Sequence, residues 1–305
     1  MGFYTEYKNE ITTLQLISQI LGKIRLEYAP QEPQWAHVTL DITPRGFSTG
    51  LLRRGDTHFE IEADLSRGLI IIKTETHDTH IEMASGKPIS EYYQEIINTA
   101  AAEGLKLYIN TKPQEMDFKT PFEDDVGHHH YNDHVANIVL KWFQFARDTE
   151  MQFLAPLRHR KVHPGLFWGT FDVSCILIHD EFEPFPDDSK VIERAAFDEH
   201  MIEFGFWLGD DTFEYPTFFT LPYPFVDNEE LATDDSFPEG SYFSADMAEY
   251  LYEMKNGMDG VEAENVQQFL EASFRGAFDH LKWQGFNHCT EPLKMGDNQY
   301  GDAQD

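Results

Sequence analysis

The chain has 305 residues, 41% of them hydrophobic and 14% aromatic, and its 54 acidic and 23 basic side chains give a formal net charge of −31. A surface this acidic repels phosphate backbones and anionic lipid heads, which argues against nucleic-acid or membrane partners. The length allows one large core or two packed halves, and the 25 Phe set the chain apart from a disordered acidic polymer.

The acidity is uneven, −9 over residues 1–150 and −22 over residues 151–305. No apolar run approaches the roughly 20 residues that span a bilayer. Residues 1–15 show no basic segment feeding a hydrophobic one, so no secretory signal is expected. The two cysteines, Cys175 and Cys289, form no metal-type pair and suit a reducing cytoplasm as buried spectators.

In chain order, Ile11 to Tyr28 is apolar at helical spacing (Leu14, Ile17, Ile20, Leu21, Ile24), and Ala29-Pro30 ends it. Strand-like runs follow at His37 to Thr43, His58 to Leu65 and Leu69 to Thr74, the last two joined by a turn at Ser66-Arg67-Gly68. Ile89 to Ala102 reads as an amphipathic helix closed by Gly104, and Leu105 to Asn110 as a short strand. Thr111 to Asp125 is a polar connector. A second long helix is expected from Asp133 to about Leu154, with Asp133 suited to cap it. A strand over Leu166 to Ile178 comes next, then strands at His200 to Leu208 and Tyr215 to Leu221. An acidic loop at Asp227 to Gly240, a helix at Val261 to Trp283 and a polar, frayed tail from Asn287 complete the reading.

Helix, Ala-Pro, polar connector, strands and helix occur in that order twice. The expected fold is α+β, with mainly antiparallel sheets and flanking helices in two pseudo-repeated halves, residues 1–125 and 126–305, packed as one body. There is no GxGxxG or GxxxxGK[ST], which removes support for dinucleotide and P-loop chemistry, and the GxSxG match at Gly46-Phe47-Ser48-Thr49-Gly50 lies among strand-like runs rather than between a strand and a helix.

Several clusters could carry chemistry. His128, His130 and His134 lie together, the last two four apart at a helix start, where paired metal ligands share a face. No HExxH or second local ligand set completes that site, and a hydrated loop is the plainer reading. The run Phe167-Trp168-Gly169-Thr170-Phe171-Asp172 places a glycine and a carboxylate in an aromatic strand. Buried there, Asp172 would need a basic or hydrogen-bonding partner, a cation or imidazole being the one expected. An ordinary aromatic core strand is the alternative. Lys23, Arg25 and Arg45 are scarce cations in an acidic chain, either paired or aimed at an anionic ligand. Trp207, in Gly205-Phe206-Trp207-Leu208-Gly209, offers a pocket wall or simple packing.

The segments Gln19 to Leu26, Trp35 to Val38, Thr43 to Thr49, Phe59 to Glu62, His128 to Tyr131, Phe167 to Asp172, Gly205 to Trp207 and Tyr223-Pro224 together resemble a bacterial family of uncharacterised proteins, a domain of unknown function. The chain departs from it at Asn132, where the family often has Asp, and at Trp35-Ala36, where it often has Trp-Trp. The resemblance carries no assigned activity. It implies a shared polar-aromatic set of Lys23, Arg25, His37, Arg45, His128, Tyr131, Trp168 and Asp172, and it leaves out His129, His130 and His134.

The resulting expectation is a cytoplasmic protein with a pocket for a small, anionic molecule between its halves. Lys23, Arg25, Arg45, Tyr131, Trp168 and Trp207 would bind it, and His37, His128 and Asp172 would handle protons. Whether turnover follows binding is open, no cofactor is specified, and a homo-oligomer is compatible with the composition. The alternatives are a metal-dependent hydrolase built on the His128–His134 cluster, and a structural or interaction protein without a ligand.

Overall fold

In the computed structural model, which describes residues 2–226 and 231–293, two six-stranded antiparallel sheets are formed, one from each sequence half. The first holds β1 (Asp41–Ile42), β2 (Gly46–Ser48), β3 (Leu52–Arg54), β4 (Thr57–Asp64), β5 (Leu69–Thr74) and β6 (Asp78–Glu82). Its order is β1-β2-β4-β5-β6, with β3 paired to β4. The second holds β7 (Arg160–Phe167), β8 (Asp172–Phe182), β9 (Glu199–Trp207), β10 (Thr217–Tyr223), β11 (Tyr242–Ser244) and β12 (Glu249–Glu253), ordered β11-β12-β10-β9-β8-β7. With the helices this makes the α+β fold expected from the sequence. One continuous buried apolar cluster runs from Ile11 to Cys289 and draws on both sheets.

Helix α1 (Phe3–Tyr28) keeps the expected end but starts earlier, since Tyr4 N–H donates to the Glu214 carbonyl and draws in the first turns. Helix α2 (Ile89–Ala102) follows its apolar stripe, and α3 (Asp133–Leu154) likewise. The α3 cap is Asn132, not Asp133: its side-chain oxygen accepts from the His134 and Val135 amides. Helices α4 (Val191–Ala196), α5 (Gly260–His280) and α6 (Phe286–Cys289) complete the set. Helices α3 and α5 cover one face of the second sheet, with Phe204 packed between Phe153 (4.8 Å) and Phe274 (6.1 Å) and Trp142 stacked on Phe206 at 5.6 Å.

Three expected strands differ. Most of His37 to Thr43 is turn; Asp41–Ile42 alone is a strand there, while Leu40 makes a two-way bridge to Leu166 that ties the halves together. Leu105 to Asn110 forms no strand. Leu105 and Leu107 are buried in alternation, but no neighbouring strand lies beside them, and the Tyr108 amide donates to the Tyr28 hydroxyl instead. Leu166 to Ile178 is two strands, not one: Trp168 to Phe171 is a tight turn, in which Phe171 takes φ +66° and donates to the Phe167 carbonyl. Of the acidic loop, residues 227–230 lie outside the described residues, as does the tail from residue 294, while Asn287 to Cys289 belong to α6. Among the described residues no helix is long and apolar enough to cross a membrane.

Candidate functional site: a cavity lined by carboxyls

Alternation along the second sheet decides what faces the site. On β8, Val173, Cys175 and Leu177 point into the core, so Asp172, Ser174 and Ile176 point the other way. The register sets Ile176 opposite Glu203, and Glu203 opposite Leu221. Glu249 opens β12 on the same face as Leu251. That face floors a cavity of about 800 Å³, closed by the first turns of α1 and by loops at 115–118 and 208–212. Gly205 makes the floor possible, because a Cβ there would collide with Ser174 Oγ and the Phe219 ring.

Asp172 is 6% exposed. Its two oxygens accept from the hydroxyls of Thr170 and Ser174, and among the described residues no basic side chain pairs with it. The expected cation or imidazole is absent, and two hydroxyls stand in its place. Burial raises the Asp172 pKa, which these two hydrogen bonds pull back in part. Glu203 is pushed well above the usual carboxylate range, first by burial and then by Asp172. Glu249 is raised to about 8 by the same two causes, and Glu115 is raised likewise. Under the sheet, on α3, Glu150 is fully buried with neither oxygen hydrogen-bonded, and its pKa too is raised well above the ordinary value by burial. Burial and their mutual repulsion raise these carboxyls together, so they titrate as a coupled group, with Glu249 at about 8.

Of the nine residues expected at the site, His128, Asp172 and Trp207 line this cavity. His128 stacks on Phe118 at 4.4 Å with Nδ1 2.8 Å from Asp125 Oδ2. Trp207 Nε1 is buried without a hydrogen-bond partner. Trp168 lines a second cavity of about 290 Å³, which Asp172 also borders. It seats on α1 at Gly22, where any Cβ would meet its ring, and donates from Nε1 to the Val38 carbonyl. Lys23 is buried 5.5 Å from that ring, its amine lowered to about 8 by burial, and no carboxylate among the described residues pairs with it.

Lys23 and the other four lie outside both cavity walls. Arg25 pairs with Asp41 at 3.1 Å and donates to the carbonyls of His37 and Thr49. Arg45 shares Asp64 with Arg67, each 2.7 Å from the same oxygen. His37 is buried, its Nδ1 accepting from the Glu32 amide and its Nε2 unpartnered, and burial lowers its pKa. Tyr131 is buried beneath the β4–β5 turn, close to Gly68. In the histidine run, the rings of His129 and His130 stack at 4.4 Å and His134 is exposed. Among the described residues no group of three or more His, Cys, Asp or Glu is arranged to hold a metal ion.

The residues the sequence reading passed over are Glu115, Thr170, Ser174, Glu203 and Glu249. Glu203 did leave a trace, a lone carboxylate in the apolar run Met201-Ile202-Glu203-Phe204-Gly205-Phe206. Comparison with curated proteins and with solved structures gives no match. A family model spans residues 3–288, from the first turn of α1 to α6 and so across both sheets, and the chain belongs to that family, a family of unknown function designated DUF5996.

Proposed function

We propose that the protein binds a small cationic molecule, an amine, in the carboxyl-lined cavity. The observation that supports this is the convergence of Glu115, Asp172, Glu203 and Glu249 on one cavity of about 800 Å³, a volume within the usual range for ligand sites. Of the scarce cations that suggested an anionic ligand, Arg25 is engaged by Asp41 and Arg45 by Asp64, Lys23 is buried beside Trp168 outside the cavity lining, and Lys8 at the cavity edge is 2.6 Å from Asp211. An anion would oppose the acidic ring of Asp117, Asp210 and Asp211 and hold the buried carboxyls protonated, whereas an ammonium favours their ionised forms and makes charge-assisted hydrogen bonds with them. The rings of Trp207, Phe171 and Phe219 offer faces for the rest of the ligand or for the cation itself.

Acid–base chemistry is a second reading, carried by Glu249, whose titration near pH 8 suits a general acid or base at neutral pH. It replaces His37, which lies outside the cavity walls.

Thermal melts with primary and quaternary amines, set against carboxylates and phosphates of like size at physiological ionic strength, test the binding reading. Amines should raise the melting temperature of the native chain and much less that of Glu203→Gln. Stabilisation by anions alone, or equal amine stabilisation of both proteins, would overturn it.

A further inference from the structure

The two cavities share four lining residues, Glu115, Thr170, Asp172 and Glu203. They differ in character beyond that common wall. The larger is ringed by acids, including Asp117, Asp210, Asp211 and Glu249, while the smaller is walled mainly by Trp35, Phe167, Trp168, Ile176, Phe197 and Met201. The smaller cavity, about 290 Å³, lies at the lower end of the range for ligand sites, enough for one ring or a short alkyl chain.

The backbone around the smaller cavity carries a second observation. Gln34 and Trp35 are consecutive non-glycine residues with φ of +51° and +53°, a left-handed conformation that L side chains rarely adopt. Both line the cavity, and both are held by long-range hydrogen bonds, Gln34 Nε2 to Asp198 Oδ1 at 2.6 Å and Trp35 Nε1 to the Ile192 carbonyl at 3.0 Å. Strained pairs of this kind persist where the surrounding structure over-determines them, and they cluster at ligand clamps. Here the strain sets the Trp35 ring against α4, whose Ile192 and Ala196 form another part of the wall.

We propose that the smaller cavity receives the apolar end of the same ligand, which makes that ligand an amphipathic amine with an alkyl chain or aromatic ring. This inference rests on the cationic reading of the larger cavity. The ammonium is held by the carboxyls of the shared wall, and the chain extends past Asp172 and Glu203 between Trp168 and Met201. Charge complementarity fixes the orientation, because the shared wall is the place where the acidic and the apolar linings meet.

Calorimetric titration of the full chain with methylamine, pentylamine, 2-phenylethylamine and the neutral 2-phenylethanol tests it. Burial of a methylene contributes about 0.8 kcal/mol, roughly a fourfold gain each, so pentylamine should bind at least about tenfold tighter than methylamine. Ala196→Phe, a substitution on the outer wall of the smaller cavity, should collapse that ratio toward one. Trp35→Ala should reduce it as well, and circular dichroism checks that each variant is folded. Equal affinity for methylamine and pentylamine in the native chain, or an undiminished ratio in Ala196→Phe, would overturn the inference while leaving the cationic reading intact. Tight binding of 2-phenylethanol without any binding of amines would overturn the cationic reading and with it the amphipathic amine. No binding of any of the four would overturn both.

Discussion

Replacing Glu150 should make the protein more stable, and by an amount that grows with pH. The carboxyl is fully buried on α3, neither oxygen has a hydrogen-bond partner, and burial lifts its pKa well above the ordinary value, with Asp172 and Glu203 adding to the effect. A raised folded-state pKa means that the associated stability is present at low pH and is lost as pH rises past the unfolded value of about 4.3. Each pH unit above that, while the folded group stays protonated, costs about 1.4 kcal/mol. Glu150→Gln removes this pH-dependent part. Glu150→Leu also removes an unsatisfied buried polar group, which costs about 1–3 kcal/mol. Urea unfolding of the native chain and both variants at pH 5.5, 6.5 and 7.5 is the assay. The advantage of each variant should widen by up to about 1.4 kcal/mol per unit, and Glu150→Leu should exceed Glu150→Gln. A native chain more stable than both variants, or a gap that stays flat with pH, would mean that Glu150 is not an unsatisfied buried carboxyl with a raised pKa.

Asp172→Asn should lower the titration midpoint of Glu249 from about 8, because Asp172 is the second cause of that elevation after burial; carboxyl NMR of glutamate-labelled protein reads it, and an unmoved midpoint contradicts the coupling. Gly205→Ala drives a methyl into Ser174 Oγ and the Phe219 ring and should destabilise by about 1–3 kcal/mol in thermal melts, an overpacking cost that a neutral result would disprove. His134→Ala, at an exposed position, should change stability by no more than about 0.5 kcal/mol, and a larger loss would give the histidine run a role it lacks in this account.

Local pattern carried much of the fold. The stripe from Ile89 to Ala102 marks α2 at both ends, and the Ser66-Arg67-Gly68 turn between two strands stands where it was expected. Failures came where partners decide. Leu105 and Leu107 alternate with exposed residues as a strand would, yet a strand needs a neighbour, and that is not written in its own six residues. The aromatic run ending in Asp172 has the composition of a strand throughout, but the left-handed Phe171, bonded back to the Phe167 carbonyl, turns it back on itself. The candidate site divides in the same way. Asp172, His128 and Trp207 stood out locally, whereas Glu203 and Glu249 reach the same cavity through cross-strand register on β9 and β12. Arg25 and Arg45 stand in the sequence as either paired or ligand-directed cations, and only the folded chain brings them their partners Asp41 and Asp64.

A cation received by carboxyls whose pKa values are raised, Glu249 to about 8, favours their ionised forms, so its binding expels protons. Calorimetric titration of 2-phenylethylamine at pH 7, in two buffers of different ionisation enthalpy, counts them. The account predicts net proton release, affinity that tightens from pH 6 to pH 8 as the group near pH 8 gives up its proton more readily, and a smaller release in Glu249→Gln. Amine binding with no change in bound protons, or proton uptake accompanying an anion in its place, would contradict it.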